Sequence, residues 1–283
     1  MGTHCPATSC VEIGDSIEVV NPDFPRGGFQ AAIFDFDGTL SLLRRNWQDV
    51  MIPMMVEVLA ATGTGETRRQ LYDHVEEFVM RLNGRQTIYQ IMRLAEEVAL
   101  RGGQPREPLQ YKHQYHELLW RQVGQRVEGV ASGRIPREEM TVPGAESLLR
   151  ALRDRGLTLY LASGTDLAYV RSELGVLGLE PYFGPRIYGA LDDYKQFSKA
   201  LIVEQMIRDT GLSGREVLGF GDGFVEIEEI KKVGGLAVGV ASNEDSRQGV
   251  NGWKRNRLIR AGADLIVGDY RQGDALLHRI GME

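Results

Sequence analysis

Short apolar runs that end in polar residues recur along this chain of 283 residues. Three of them, at residues 31–34, 157–162 and 217–220, do not alternate strictly between apolar and polar positions. Such runs are typical of strands in a parallel sheet that is covered on both faces. Two further runs, at residues 236–240 and 263–267, predict additional strands of the same sheet.

Amphipathic helices are predicted between these strands. Leu148, Leu149 and Leu152 share one helix face, Pro143 precedes them as a first-turn residue, and Gly156 follows as a stop. Similar apolar stripes end at two later glycines, Gly211 and Gly234. The alternation of strands with helices predicts an α/β fold, a Rossmann-like doubly wound parallel sheet.

The segment 41–141 departs from this alternation. It contains no convincing strand, and the pattern predicts four helices there, at about residues 47–61, 66–82, 87–100 and 109–127. We therefore expect an all-α cap domain at residues 41–141, inserted into an α/β core of residues 1–40 and 142–283. Because the insert follows the first core strand, it should cover the strand ends where a doubly wound fold holds its active site.

Composition and charge narrow the class of protein. The chain is 42% apolar with no apolar run long enough to cross a bilayer, and it carries 33 Lys and Arg against 39 Asp and Glu, a net charge of −6. We expect no nucleic-acid partner and no membrane partner, because there is no basic surplus to neutralise a polyanion. The two cysteines, Cys5 and Cys10, provide no disulfide framework. A reducing, cytoplasmic setting is therefore expected.

Two carboxylates follow the strand at residues 31–34. Asp35 and Asp37 are two positions apart, so both would leave the backbone toward the same side if the strand geometry continued. Such a pair persists where a cation offsets the repulsion or where one carboxyl is used in its protonated form. Both conditions match phosphoryl transfer in which Asp35 attacks phosphorus and Asp37 protonates the leaving oxygen. Gly38 and Thr39 add a tight turn whose amides can face phosphate oxygens.

The sequence Asp35-Phe36-Asp37-Gly38-Thr39 resembles the first motif of the haloacid dehalogenase-like (HAD) hydrolase superfamily. The resemblance extends over about residues 33–226, with four motifs in the family's order. It implies a phosphatase-type enzyme with a helical cap inserted after the first motif, similar to phosphoglycolate phosphatases and phosphoglucomutases.

The other three motifs assign further roles by resemblance. Ser163 and Gly164 follow the second strand and would hold the transferring phosphoryl group. Lys199, in a Ser-Lys context at the start of a helix, resembles the lysine of the third motif. Asp222 and Glu226 resemble the fourth, metal-binding motif, in which family members more often carry Asp at the second acidic position.

Elementary chemistry agrees with these roles. A lysine, a hydroxyl and turn amides can stabilise the negative charge of a phosphoryl group during its transfer. Lys199 and Ser163 would provide the first two. Mg²⁺ prefers one or two carboxylates together with waters and substrate oxygens. Asp35, the Asp37 carbonyl and Asp222 would therefore hold Mg²⁺, and Glu226, one helical turn past Asp222, would contact it directly or through water.

Some positions have competing interpretations. Lys195 is a second candidate for the third-motif lysine, although it lies in a charged cluster, and Glu226 belongs to an acidic first turn that would stabilise any helix. His113 and His116 do not match a zinc-binding spacing, so a packed or solvated helix face is favoured. The candidates for substrate binding and specificity near the first motif and in the insert are Arg44, Arg45, Trp47, Arg85, Gln86, Thr87 and Gln90.

The predicted function is Mg²⁺-dependent hydrolysis of a small phosphorylated metabolite. Asp37 argues against dehalogenation, which needs no proton donor at that position, and Lys112, the lysine of the insert, lies too far along it for phosphonatase chemistry. A sugar-phosphate mutase uses the same four motifs and stays open as an alternative. So does a catalytically silent phosphate-binding protein, and the sequence predicts neither the ester recognised nor the oligomeric state.

Overall fold

The computed structural model describes residues 17–283, and within them seven strands form one sheet. The strands are β1 (Ile17–Val19), β2 (Ala31–Phe34), β3 (Thr158–Asp166), β4 (Ile187–Ala190), β5 (Val217–Gly221), β6 (Leu236–Val240) and β7 (Leu265–Val267). Their order is β1-β7-β6-β5-β2-β3-β4. Strand β1 is antiparallel to β7, and all other neighbours are parallel. The predicted α/β fold class is confirmed.

The helices occupy both faces of the sheet and the segment after β2. They are α1 (Gln48–Ala60), α2 (Arg68–Leu82), α3 (Thr87–Leu100), α4 (Pro108–Ala131), α5 (Ala145–Asp154), α6 (Leu167–Leu177), α7 (Glu180–Phe183), α8 (Lys199–Thr210), α9 (Phe224–Val233), α10 (Gly252–Arg260) and α11 (Gly273–Arg279).

Alternate residues of each central strand enter different apolar cores. Ala32 and Phe34 belong to a core shared with α5, α6 and α11, in which Phe34 stacks on Phe220 with ring centroids 4.5 Å apart. Ala31 and Ile33 face a second core shared with α8, α9 and α10. This two-sided burial explains why the strand sequences are continuously apolar, and it leaves their carboxyl ends as the place where polar residues collect.

Helices α1–α4 pack around a third core of their own, formed by side chains such as Met55, Phe78 and Leu94. The chain enters and leaves this helical segment side by side, because Ser41 and Thr141 form an antiparallel bridge. The observed elements therefore follow the predicted layout of a helical insert between residues 41 and 141. Its independence as a domain stays a prediction.

Several elements differ from the sequence prediction. Strand β3 continues through Asp166, four residues past the predicted end, and the strands β1 and β4 and the helix α6 were not predicted. Strand β1 has three residues and β4 has four, too few to establish a period. Cys5 and Cys10 lie outside the described residues. No helix within residues 17–283 is long and apolar enough to span a membrane.

Candidate active site

A cavity at the carboxyl ends of β2, β3 and β5 brings most of the predicted site residues together. It encloses about 700 Å³, counting the space at its mouth, and it lies between the sheet and the helical segment. The predicted residues that line it are Asp35, Asp37, Gly38, Arg44, Arg85, Ser163, Gly164, Lys199 and Asp222. Five separate stretches of chain thus meet at one place, three of them because β2, β3 and β5 are parallel and end at the same edge of the sheet.

Asp35 lies at the end of β2 and is 7% exposed. Its Oδ1 accepts a hydrogen bond from Lys199 Nζ at 2.8 Å, and Lys199 in turn contacts the carboxylate of Glu226. Burial raises the pKa of Asp35, the ammonium of Lys199 opposes that rise, and the nearby charge of Asp222 adds to it. Asp35 and Asp222 therefore repel each other across the cavity.

Asp37 has a different environment. Its Oδ2 accepts a hydrogen bond from Thr165 Oγ1 at 2.7 Å, whereas its Oδ1 has no hydrogen-bond partner within residues 17–283 and lies 4.0 Å from Arg44 Nε. Arg44 is itself bound to the fully buried Glu173, with Nη2 2.6 Å from Oε1. Burial raises the pKa of Asp37 to about 7, Arg44 opposes this rise and Glu173 adds to it. A carboxyl that titrates near neutrality can both donate and accept a proton.

Lys199, which binds Asp35, and Glu173, which binds Arg44, lie on helices at opposite faces of the sheet. Lys199 opens α8, and Glu173, which holds Arg44, belongs to α6. The expectation that both carboxylates leave toward one side assumed that the strand continues past residue 35. Strand β2 ends at Phe34, but Asp35 and Asp37 still line the same cavity.

Asp222 is paired with a lysine that the sequence analysis did not identify. Lys254 Nζ lies 2.7 Å from Asp222 Oδ2 and 2.6 Å from Glu244 Oε1. Although burial opposes it, the two carboxylates raise the pKa of Lys254 above its ordinary value, so the side chain stays charged. Gly38 lies against this pair: a Cβ at that position would be 2.2 Å from Asp222 Oδ2.

The site therefore consists of three groups of the same composition. In each, a buried cation contacts one aspartate of the cavity and one glutamate: Lys199 with Asp35 and Glu226, Arg44 with Asp37 and Glu173, and Lys254 with Asp222 and Glu244. With every group ionised, each set carries a formal charge of −1. The cavity thus combines fixed cations with a surplus of negative charge, which favours an additional cation or a protonated carboxyl.

Thr39 and Glu226, which the sequence placed in the substrate and metal sites, do not line the cavity. Thr39 is fully buried, and its hydroxyl has no hydrogen-bond partner within the described chain, so its side chain does not reach the cavity. Glu226 contacts Lys199 and does not line the cavity that holds Asp222. The Glu226 carboxylate contacts the ammonium of Lys199, and its contact with a metal, directly or through water, stays a prediction. Lys195, the alternative to Lys199, is exposed.

The helical segment forms the far wall of the cavity. Trp47, Thr87 and Gln90 line it as predicted positions, and Tyr115 of α4 joins them. The side chain of Arg45 is not among the lining groups, and its backbone carbonyl accepts a hydrogen bond from Arg126. The wall facing the aspartates thus combines aromatic surface with amide and hydroxyl groups.

A loop between α2 and α3 reaches down to the sheet. A Cβ on Gly84 would lie 3.2 Å from Gly223 Cα, and one on Gly164 would lie 3.1 Å from the carbonyl oxygen of Arg85. Backbone therefore packs directly on backbone here, and a Cβ at either position would make a tighter contact than most Cβ atoms do. The second and fourth motifs hold the loop between them.

Two side chains tie this loop in place. Gln86 Nε2 donates hydrogen bonds to the carbonyls of Tyr194 at 3.2 Å and Phe197 at 2.7 Å, just before α8. From α10, Arg257 donates to the carbonyl oxygens at the end of α2, those of Met80, Arg81 and Asn83. Gln86 is therefore a tether between the two parts of the molecule, and its side chain does not line the cavity.

Lys112 and His116 of α4 both face Asp166 at the end of β3. Lys112 Nζ lies 2.6 Å from Asp166 Oδ1, and His116 Nδ1 lies 3.6 Å from Oδ2. His113 is exposed. His116 is therefore part of a buried junction between α4 and the sheet, whereas His113 lies on the exposed face of the helix.

Four residues of the site were missed from the sequence. Thr165 lies near the carboxyl end of β3 and Glu244 follows β6, at the same sheet edge as the predicted aspartates, so the rule that polar residues collect at strand ends could have found them. Glu173 and Lys254 lie within helices, and nothing in their local sequence distinguishes them from other charged helix residues. Their partners are long-range contacts that only the fold provides.

The cavity has donors suited to a hard divalent cation. Asp35 and Asp222 line it and repel each other, and carboxylates with a backbone carbonyl are ligands that Mg²⁺ accepts alongside waters and substrate oxygens. No cluster of three or more His, Cys, Asp or Glu side chains with metal-binding geometry occurs among residues 17–283. A cation here would therefore depend on two carboxylates, the Asp37 carbonyl and the substrate itself.

Solved structures with the same fold are numerous. A predicted phosphoglycolate phosphatase from Haemophilus somnus 129pt is 17% identical, with a TM-score of 0.53 over 88% of this chain and 97% of that one. A β-phosphoglucomutase from Clostridium difficile is 17% identical, with a TM-score of 0.58 over 89% and 97%. A HAD family hydrolase from Deinococcus radiodurans R1, solved with bound phosphate and sodium, is 18% identical, with a TM-score of 0.51 over 92% and 98%.

Identities this low establish a shared fold and no more. A search among curated proteins finds no significant match. The decisive comparison is with family models, since the model for haloacid dehalogenase-like hydrolases matches residues 29–234, a span that runs from β2 through α9 and includes all four motifs. On that match, the chain belongs to the haloacid dehalogenase-like hydrolase family.

Proposed function

We propose that this protein hydrolyses a small phosphomonoester through an aspartyl-phosphate on Asp35, with a divalent cation, Mg²⁺, as cofactor. The observation that carries the proposal is the pairing of two unlike carboxylates in one cavity. Asp35 is held by the ammonium of Lys199, and Asp37 has a pKa of about 7 and an oxygen without a hydrogen-bond partner. Two carboxylates in such different environments suit a nucleophile and a general acid–base catalyst.

The first half of the reaction uses these differences directly. Asp35 attacks phosphorus as the bond to the ester oxygen breaks, and Asp37 gives its proton to that oxygen so that the alcohol leaves neutral. Thr165 holds Asp37 Oδ2 at 2.7 Å, which leaves Oδ1 to face the ester oxygen. Ser163 and Lys199 line the same cavity and supply donors for the oxygens of the phosphoryl group.

The second half returns the enzyme to its starting state. Asp37, now ionised, takes a proton from water, and the resulting hydroxide attacks the phosphorus of the aspartyl-phosphate to release inorganic phosphate and Asp35. Asp35, the Asp37 carbonyl and Asp222 would hold Mg²⁺, which when bound neutralises phosphoryl charge and strengthens the electrophile. The dianionic substrate and the surplus negative charge of the site make such neutralisation necessary.

We further propose that the segment 41–141 is a cap that selects the alcohol half of the substrate. Trp47, Thr87, Gln90 and Tyr115 line the wall opposite the aspartates, where the leaving group would lie. The loop that carries Arg85 packs on Gly164 and Gly223, so the phosphate and alcohol halves are bound by different parts of the molecule. Exclusion of bulk water by such a cap would protect the chemistry at Asp35.

The test is Mg²⁺-dependent phosphate release from p-nitrophenyl phosphate by the full chain and by Asp35→Asn. The variant keeps the shape of the side chain, and we expect at least a roughly thousandfold loss of kcat because the nucleophile is removed. Asp192→Asn, which changes an exposed carboxylate of the loop before α8, should retain full activity. Turnover by Asp35→Asn comparable with the wild type would refute the proposal.

A further inference from the structure

Lys254 is a buried charge of the site that the proposed mechanism does not use. It is 6% exposed, and its ammonium contacts three acceptors: Asp222 Oδ2 at 2.7 Å, Glu244 Oε1 at 2.6 Å and Ser242 Oγ at 3.1 Å. An ammonium has three N–H donors, so these contacts satisfy it completely. Within residues 17–283, Lys254 is the ion-pair partner of Asp222.

The fold fixes this ammonium in position. Lys254 lies in the first turn of α10, where its backbone N–H donates to the Asn251 side chain at 3.0 Å, and Asn251 N donates to the Ala241 carbonyl at 2.8 Å. Ser242 Oγ, which the ammonium contacts, donates to the Gly38 carbonyl at 2.6 Å. Through Ser242, the ammonium of Lys254 is therefore linked to the loop after β2 as well as to Asp222. These contacts hold it close to both.

The ammonium of Lys254 therefore lies beside Asp222, the second carboxylate proposed to bind the divalent cation. A metal that binds Asp222 must share that carboxylate with an ammonium 2.7 Å from one of its oxygens, and two positive charges at such close range repel strongly in a partly buried site. The ammonium can give up Asp222 without losing all compensation, because Glu244 and Ser242 remain as acceptors. Asp222 is thus shared between two cations, one built into the chain and one from solution.

We propose that Lys254 is an internal counter-ion of Asp222 that competes with the divalent cation and weakens its binding. The inference rests on the proposed function in one respect, the binding of a cation at Asp222. In the absence of a metal, Lys254 holds the Asp222 carboxylate in position. With a metal bound, Lys254 is held by Glu244 and Ser242 alone.

Isothermal titration of MnCl₂ into the metal-free full chain, at one fixed pH and without substrate, tests this directly. Lys254→Gln removes the charge, and we expect its dissociation constant for Mn²⁺ to fall at least about tenfold, since a close positive charge is lost. Lys254→Arg keeps the charge and should stay within about threefold of the wild type by the same electrostatic argument. Lys195→Gln changes the net charge equally at an exposed position, and it should leave the affinity unchanged.

The opposite result identifies a different role. If Lys254→Gln binds Mn²⁺ as weakly as the wild type or more weakly, Lys254 positions Asp222 as a ligand, and the inference is overturned. Should that variant fail to fold because Glu244 loses its partner, the double variant Lys254→Gln/Glu244→Gln leaves neither charge buried alone and is expected to bind Mn²⁺ more tightly than the wild type. Absence of Mn²⁺ binding in all variants would overturn both this inference and the proposal of a Mg²⁺ cofactor. The role of Asp35 is tested separately, by phosphate release.

Discussion

Lys199 Nζ lies 2.8 Å from Asp35 Oδ1, although the two residues are 164 positions apart in the sequence. The contact exists because Asp35 follows β2, an interior strand, and α8 packs on the sheet beside it. Lys199 also contacts Glu226, so the ammonium is fixed between two carboxylates and cannot turn toward solvent. The site is therefore preformed, with Asp35, the proposed nucleophile, held in position before a substrate arrives.

The variant Gly38→Ala tests how closely the loop after β2 must approach Asp222 for activity. In Gly38→Ala the new Cβ would lie 2.2 Å from Asp222 Oδ2, so either the loop or the carboxylate must shift. We expect kcat/KM for p-nitrophenyl phosphate to fall by about a hundredfold or more, the scale at which small misplacements of catalytic groups act. Steady-state kinetics with urea unfolding as a fold check measure this.

Gly28→Ala is the matched control for that variant. Gly28 has φ +70°, close to the +72° of Gly38, but nothing lies within 4 Å of its added Cβ. Both variants should lose about 1 kcal/mol of unfolding free energy from backbone strain. Equal activity of the two variants would show that the contact between Gly38 and Asp222 has no catalytic importance.

The variant Arg257→Ala tests whether the loop between α2 and α3 must be held in place for activity. Arg257→Ala removes the donors to the carbonyls of Arg81 and Asn83, both at 2.9 Å, and to that of Met80. The loop should then open more often, with faster amide hydrogen exchange at residues 83–86 and a roughly tenfold lower kcat/KM, in line with the cost of loosening a lid. Both are measured on the purified full chain.

Arg255→Ala provides the comparison on the same helix. Arg255 pairs with Glu18 on β1, away from the loop, so its removal should leave exchange at residues 83–86 unchanged. If the two arginine variants behave alike, the three carbonyl contacts do not control the loop.

Burial of His116 makes the free energy of unfolding depend on pH. Burial lowers its pKa from 6.5 to about 4 in the folded chain, although Asp166 opposes the shift. Between these values the unfolded chain binds the proton and the folded chain does not, so stability falls as the pH drops from 6.5 to 4. The loss approaches about 3 kcal/mol at the acid end. Urea unfolding at pH 7.0 and 4.5 measures it.

His116→Gln should lose less stability than the wild type over that pH interval, because it has no proton to take up on unfolding. His113→Gln changes the exposed neighbour on the same helix and should follow the wild-type curve. An identical pH dependence for wild type and His116→Gln would contradict the assignment of a buried neutral imidazole.

Much of this organisation could be predicted from the sequence, for reasons that particular residues illustrate. The runs ending at Phe34 and Phe220 are apolar because both sheet faces are covered, and the polar residues that follow them must meet at one edge. The helical segment was visible because its apolar spacing changes period after residue 41. Local pattern was sufficient in these cases.

The remaining features depend on contacts between distant residues. Lys254 and Glu173 become part of the site because α10 and α6 pack against the sheet, and no local pattern records those contacts. The different partners of Asp35 and Asp37, Lys199 for the first and Thr165 and Arg44 for the second, could not be foreseen from strand alternation. Glu226 has the spacing of a metal ligand, yet Lys199 is close enough to engage it.

The most direct test of the central claim, that Asp35 carries the phosphoryl group, is chemical trapping of the intermediate. Full-length protein is mixed with substrate and Mg²⁺, quenched in acid within milliseconds, and reduced with borohydride, which converts an aspartyl-phosphate to homoserine that peptide mass spectrometry can locate. If Asp35 carries the phosphoryl group, homoserine is expected at position 35 and none at position 37. Homoserine at any other position, or full turnover with no modified aspartate, would contradict it.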